Sequence, residues 1–155
     1  MDEQISGHLL DTDIVVALAF ADGHERTRLA DVINPDRVPW RAFVVCSTSS
    51  TEYASRKGVG RRKVIQLQDL LKSIKSGSDK LLSGTRFIMN GRGYVEATDQ
   101  VLEDLGEVAY SLRAPYHVAM LLGVARKEGL GIITQDRSLP TGVVPVRLID
   151  ALAPQ

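Results

Sequence analysis

Short, continuous apolar runs alternate along this chain with longer stretches in which apolar residues recur at helical spacing. Leu9 and Leu10 end the first run, Asp11 and Asp13 interrupt it, and Ile14 to Phe20 resume it with the density of a buried helix face. ADGHERTRLADVI then predicts a short amphipathic helix closed by Asn34-Pro35, because the residue before proline avoids helical dihedrals. Ala42 to Cys46 is apolar throughout and bounded by a Ser/Thr cluster, as a buried parallel strand should be. In the following STSSTEYASRKG, Ser49 and Glu52 have the spacing of a capping box at a helix start.

Gly58 and Gly60 separate that helix from RRKVIQLQDLLKSIKSG, where Val64, Leu67, Leu70, Leu71 and Ile74 mark one apolar face and Gly77 an end. TDQVLEDLGEVAYSLR reads as a later helix. Pro115 divides it from YHVAMLLGVARKEG, which is apolar on nearly every side and is expected to stop at Gly129 and Gly131. GIITQD predicts a strand running to an acid, and VVPVRLID a last strand whose Pro145 fits a sheet edge. An extra strand at Phe87 to Met89 is a further candidate. Strands near residues 8, 42, 131 and 143, separated mostly by helices, give an α/β sandwich with a mainly parallel central sheet.

Composition narrows the class without naming a partner. The 155 residues, 44% hydrophobic and 25% charged, are expected to form one domain, residues 1–155, with a real core. Basic and acidic residues number 19 each, so any nucleic-acid argument must rest on local clustering. Such clustering exists. Arg56, Lys57, Arg61, Arg62, Lys63, Lys72 and Lys75 stand against Asp69 alone, and Glu96, Asp99, Glu103, Asp104 and Glu107 then form an acidic block. Blocks of this kind also arise as ordinary solvated helix faces. The single Cys46 excludes an internal disulfide framework, and the acidic start and short apolar runs lead us to expect a cytoplasmic protein with no membrane span.

Asp11, Glu52 and Asp136 share a placement at, or one turn beyond, the carboxyl end of an expected strand. In a parallel sheet those ends lie on one edge, where ligands bind. Three carboxylates converging there would repel one another in the absence of a cation, and hard oxygen ligands suit Mg²⁺ or Mn²⁺. The chemistry implied is metal-assisted hydrolysis of a phosphate ester. Helix capping by Asp11, Thr12 or Asp13, and by Ser49 with Glu52, explains the same residues without a site.

LLDTD at the first strand, the Ser/Thr-rich approach to Glu52, and AxxxGxxIxTxD from Ala125 to Asp136 together resemble the PIN domain, the small ribonuclease fold of VapC-type toxins and RNA-processing nucleases. The likeness spans almost the whole chain. It implies a three-layer α/β/α sandwich, Mg²⁺ or Mn²⁺ as cofactor, and endonucleolytic cleavage of single-stranded RNA. It also implies a homodimer and an antitoxin or other protein partner. The family's metal-binding acids carry over to Asp11, Glu52 and Asp136, with Thr134 as a supporting hydroxyl. A further acid usual in the family falls on Val118, so an acid restored there is expected to tighten metal binding. Moving the alignment by one residue brings His117 to that place, and Asp13 is the other candidate substitute. The basic run Arg56, Lys57, Arg61, Arg62 and Lys63 begins one helical turn after Glu52 and is expected to guide the RNA backbone.

Two other readings compete. A PIN-like module that has lost catalysis would keep the fold and bind RNA or a protein partner, with Val118 as its main support. A haloacid-dehalogenase-like phosphatase would use Asp11 as nucleophile and Asp13 as acid/base, but the chain lacks that family's lysine motif and paired late acids. Cys46 lies in an apolar run, and His8, His24 and His117 match no thiol-protease pattern around it.

Overall fold

Apolar strands bounded by helices need cover on both faces, and the structure, a computed structural model that describes residues 7–37, 43–75, 94–95 and 115–150, supplies it. In chain order the described elements are β1 (Gly7–Leu10), α1 (Thr12–Phe20), α2 (Gly23–Ile33), β2 (Phe43–Cys46), α3 (Thr48–Ala54), α4 (Arg61–Lys75) and β3 (Tyr94–Val95). They are followed by α5 (Tyr116–Glu128), β4 (Leu130–Thr134) and β5 (Val146–Leu148). The strands form one sheet in the order β3-β2-β1-β4-β5, with every neighbouring pair parallel. Leu9 is paired with Val44 on one side and Ile132 on the other, which sets β1 at the centre.

Because successive strand side chains point to opposite faces, each strand feeds two cores. Leu10, Phe43, Val45 and Ile133 pack with α1 to α4, through residues such as Ile14, Leu18, Leu29, Ile33, Tyr53 and Leu67. Leu9, Val44, Cys46 and Ile132 pack on the other face with Leu121, Leu122 and Val124 of α5, and with Leu139 and Val144 from the connection to β5. The three-layer α/β/α arrangement follows directly. Leu9 and Leu10 are both fully buried, each contributing about 1.5–3 kcal/mol by leaving water.

Helix boundaries follow local chemistry. Asp22 caps α2 by accepting from the Glu25 amide at 2.8 Å, and Asn34 ends it immediately before Pro35. Gly129 stops α5 in the left-handed conformation, φ 67° and ψ 37°, where a side chain would be strained. Gly131, expected to share that role, instead lies within β4, paired with His8. Pro145 precedes the edge strand β5, as anticipated, and its carbonyl accepts from the Ile132 amide at 2.9 Å. The expected strand at 87–89 and the acidic helix at 98–113 lie outside the described residues. Among the described residues no helix is long and apolar enough to cross a membrane.

Candidate functional site

The sheet order reverses between β1 and β4, since β2 and β3 lie to one side of this pair and β5 to the other. Connections leaving the carboxyl ends of two such strands diverge and open a crevice. Asp11 follows β1 there, and Thr134 ends β4 beside it. The Thr134 hydroxyl, fully buried, donates to Asp11 Oδ2 at 2.6 Å. Asp11 Oδ1 accepts from the Thr12 amide at 2.7 Å, and the Asp11 amide itself donates to the Ile133 carbonyl at 3.0 Å. Asp11 is therefore the N-cap of α1 and a crevice carboxylate at once. Burial pushes its carboxyl above the usual 3.8; the hydrogen bonds from Thr134 and Thr12 pull the other way, and the negative charges of Glu52 and Asp13 add to the rise.

Glu52 reaches the same place from α3. The capping-box reading fails: Ser47 is the N-cap and makes no side-chain capping bond, so Ser49 and Glu52 both lie inside the helix. Ser49 is fully buried, and its hydroxyl accepts from Thr12 Oγ1 at 3.4 Å, which ties α3 to the start of α1. One turn further along the same face, Glu52 is accordingly directed at the crevice. Its Oε1 receives the Arg56 guanidinium at 3.0 Å, while the same guanidinium nitrogen lies 2.7 Å from Asp13 Oδ1. Burial works against the charge on Arg56, but the bond to Glu52 and the charge of Asp13 outweigh it and raise the guanidinium pKa.

His117 in the first turn of α5 places Nε2 3.5 Å from Glu52 Oε1. Val118, where the resemblance puts an acid, turns instead toward the core on the α5 face and packs there half-buried. Adjacent helical residues differ by about 100° in direction, so only one of the two can face the crevice. Here it is His117.

Asp136 also connects to this group, through Thr134 Oγ1, which accepts from its amide at 2.9 Å. Its carboxylate is engaged locally, with Oδ1 accepting from the Ser138 amide at 2.9 Å and the Ser138 hydroxyl at 2.6 Å. Asp11 and Glu52 thus lie within electrostatic reach, while Asp136 joins them through one hydroxyl. Among the described residues, no three His, Cys, Asp or Glu side chains are grouped closely enough to hold a metal ion.

The remaining basic residues divide. Lys57, Arg61, Arg62 and Lys63 are exposed at the entry to α4, with Lys63 Nζ 5.6 Å from the centre of the Phe20 ring. Arg56, expected with them as an RNA contact, is instead half-buried between Asp13 and Glu52 and 6.0 Å from the Tyr53 ring centre. Its four-residue spacing from Glu52 is the sequence signal for that pairing. Asp13, bound to Arg56, is not the unpaired acid/base that a phosphatase reading needs. Cys46 is fully buried in the α5-side core.

As placed, these donors do not assemble a cation site, but one of their oxygens stands apart. Glu52 Oε2 is buried and accepts no hydrogen bond among the described residues. Asp11, Glu52 and Asp136 are the residues that would hold such an ion, as oxygen donors.

No protein-family profile matches the chain, and no curated protein matches it in sequence. Two solved structures do share its fold. One, described as the structure of FitAB bound to IR36 DNA fragment, is 14% identical with a TM-score of 0.56, covering 90% of this chain and 93% of its own. The other, the crystal structure of FitAcB from Neisseria gonorrhoeae, is 13% identical with a TM-score of 0.50, covering 89% and 94%. The fold of this chain is PIN-like. Identity at this level speaks to the fold alone.

Proposed function

We propose that this chain is a divalent-metal-dependent endoribonuclease of the toxin kind, cleaving single-stranded RNA in the cytoplasm and restrained by an antitoxin partner. The observation that carries the reading is the buried, unpartnered Oε2 of Glu52 beside Asp11, where the sheet order reverses. Such an oxygen costs stability unless something positive meets it. A bound divalent ion would supply screening for charge developing on phosphate and a more acidic water as nucleophile. The chain's own residues do the positioning: Thr134 and the Thr12 amide fix Asp11, and the Thr12–Ser49 contact fixes α3 and hence Glu52. Exposed Lys57, Arg61, Arg62 and Lys63 are suited to holding the RNA backbone. An antitoxin or other protein partner and a homodimer are carried over from the family resemblance.

Two observations favour a second reading, a PIN-like module that binds RNA or a protein without cleaving: the engagement of Asp136 by Ser138 and the Arg56 guanidinium between Asp13 and Glu52. A Mn²⁺ titration with a parallel RNA cleavage assay decides between them. The nuclease reading expects a saturable Mn²⁺ site and cleavage, both crippled by Asp11→Asn and Asp136→Asn in folded protein. Variants that cleave as fast as the parent at matched Mn²⁺ overturn it. RNA binding without a metal site establishes the module.

A further inference from the structure

Resting on the single-stranded RNA reading above, we propose that Tyr116 is a base-stacking subsite at the lip of the crevice, through which the chain selects single strands over duplexes. Glu52 Oε1 has two cationic or titratable neighbours, the Arg56 guanidinium at 3.0 Å and His117 Nε2 at 3.5 Å. Beside each of them in the chain stands an exposed residue, Lys57 after Arg56 and Tyr116 before His117. A cation just beyond α3 and an aromatic ring at the start of α5 are thereby tethered to the same carboxylate.

The rotation of α5 explains why the ring is presented. Val118 packs half-buried into the core and His117 turns to Glu52, so Tyr116, about 100° further round the helix, emerges into solvent. Of the large apolar side chains exposed among the described residues, Ile65, Tyr116 and Leu148, it is the most exposed at 61%, and the one whose chain neighbour reaches Glu52. Pro115 precedes it as the N-cap of α5, with φ fixed by its own ring, and tyrosine has only two side-chain torsions to immobilise. Lys57, Arg61, Arg62 and Lys63 can meet the phosphates of a single strand or a duplex alike, since backbone contacts carry no such distinction. The ring can. A single strand offers it an unstacked base, whereas a duplex keeps its base faces within its own stack. Every base has such a face, so the subsite reads strandedness and not sequence.

Equilibrium binding to the full chain, measured in chelator so that neither metal nor cleavage enters, tests the assignment. The probes are a short oligoadenylate, an abasic ribose-phosphate strand of the same length and charge, and an RNA duplex of that length. The parent is expected to prefer the oligoadenylate to the abasic strand by about tenfold, as one base–aromatic stack provides. Tyr116→Ala should bring that ratio close to one and reduce the margin over duplex by the same factor, with abasic-strand affinity and salt slope unchanged. Tyr116→Phe and Tyr116→Trp should retain the preference. In the parent, irradiation of bound oligo(5-iodouridine) should place a crosslink on Tyr116, located by mass spectrometry. An oligoadenylate-to-abasic ratio of one in the parent, the same ratio in Tyr116→Ala as in the parent, or a crosslink found only at other residues overturns the subsite and leaves the RNA reading standing. A parent that binds none of the three probes overturns both.

Discussion

Thr134 donates its hydroxyl to Asp11 Oδ2 at 2.6 Å across 123 residues of sequence, and the same oxygen accepts the Asp136 amide at 2.9 Å. One buried side chain therefore sets the position of two of the three acids. Thr134→Val keeps the shape and removes both bonds, leaving a carboxylate oxygen and a backbone N–H without this partner. A drop of about 1.5–3 kcal/mol in stability is expected in denaturant melts, together with weaker Mn²⁺ binding. Thr134→Ser should restore most of both. Equal metal affinity in Thr134→Val and parent would mean that Asp11 is held by the α1 cap alone.

Asp11 carries a cost that depends on pH. An unfolded aspartate ionises near 3.8, and burial holds the folded group protonated to higher pH. Between those two values the folded state binds more protons than the unfolded, so its stability is fully present below the unfolded value and falls as pH rises through the folded one. Asp11→Asn removes that titration. In chelator-treated protein, the melting temperature of the variant relative to the parent should rise from below the aspartate range up to neutrality. A difference independent of pH would show that ionising Asp11 costs the fold nothing.

Much of this is legible in the amino-acid pattern, and what is not has identifiable causes. The strands are readable because β1, β2 and β4 are continuous apolar runs, as parallel strands covered on both faces must be. Asp11 is readable because strand ends in such a sheet share an edge. Glu52 stands out by its charge, although the Ser49 spacing also supports a cap that does not form; distinguishing them requires the Thr12 contact, 37 residues away. His117 and Val118 cannot be separated by sequence because a single residue of helix rotation decides which faces the crevice. That rotation is set by packing against β strands that the local sequence does not contain.

Arg56 and the exposed basic run should behave oppositely. Arg61, Arg62 and Lys63 changed together to Glu should weaken RNA binding and flatten its dependence on salt, by a slope of about 0.7 for each phosphate no longer neutralised. Arg56→Gln removes a cation from between Asp13 and Glu52, so metal-free protein should lose stability while Mn²⁺ binds several-fold tighter. Weaker Mn²⁺ binding in Arg56→Gln would mean that the guanidinium positions Glu52 for the ion rather than competing with it. Unchanged RNA affinity and salt slope in the triple variant would reduce the basic run to a solvated helix start.

Position 118 offers the sharpest contrast between sequence and structure. The family resemblance makes an acid there the restoration of a missing ligand, but Val118 packs, half-buried, against the apolar core on the α5 side of the sheet. Val118→Asp should therefore place a carboxylate against apolar surface with no partner, costing about 1–3 kcal/mol, and should leave Mn²⁺ affinity no better than in the parent. His117→Asp introduces the same carboxylate at the position that faces Glu52, where side-chain exposure of 44% spares it most of that penalty. Melts and Mn²⁺ titrations of the two variants, run side by side, separate rotation from charge. A stable Val118→Asp protein with tightened metal binding would show that α5 turns by one residue in solution and presents position 118 to the crevice.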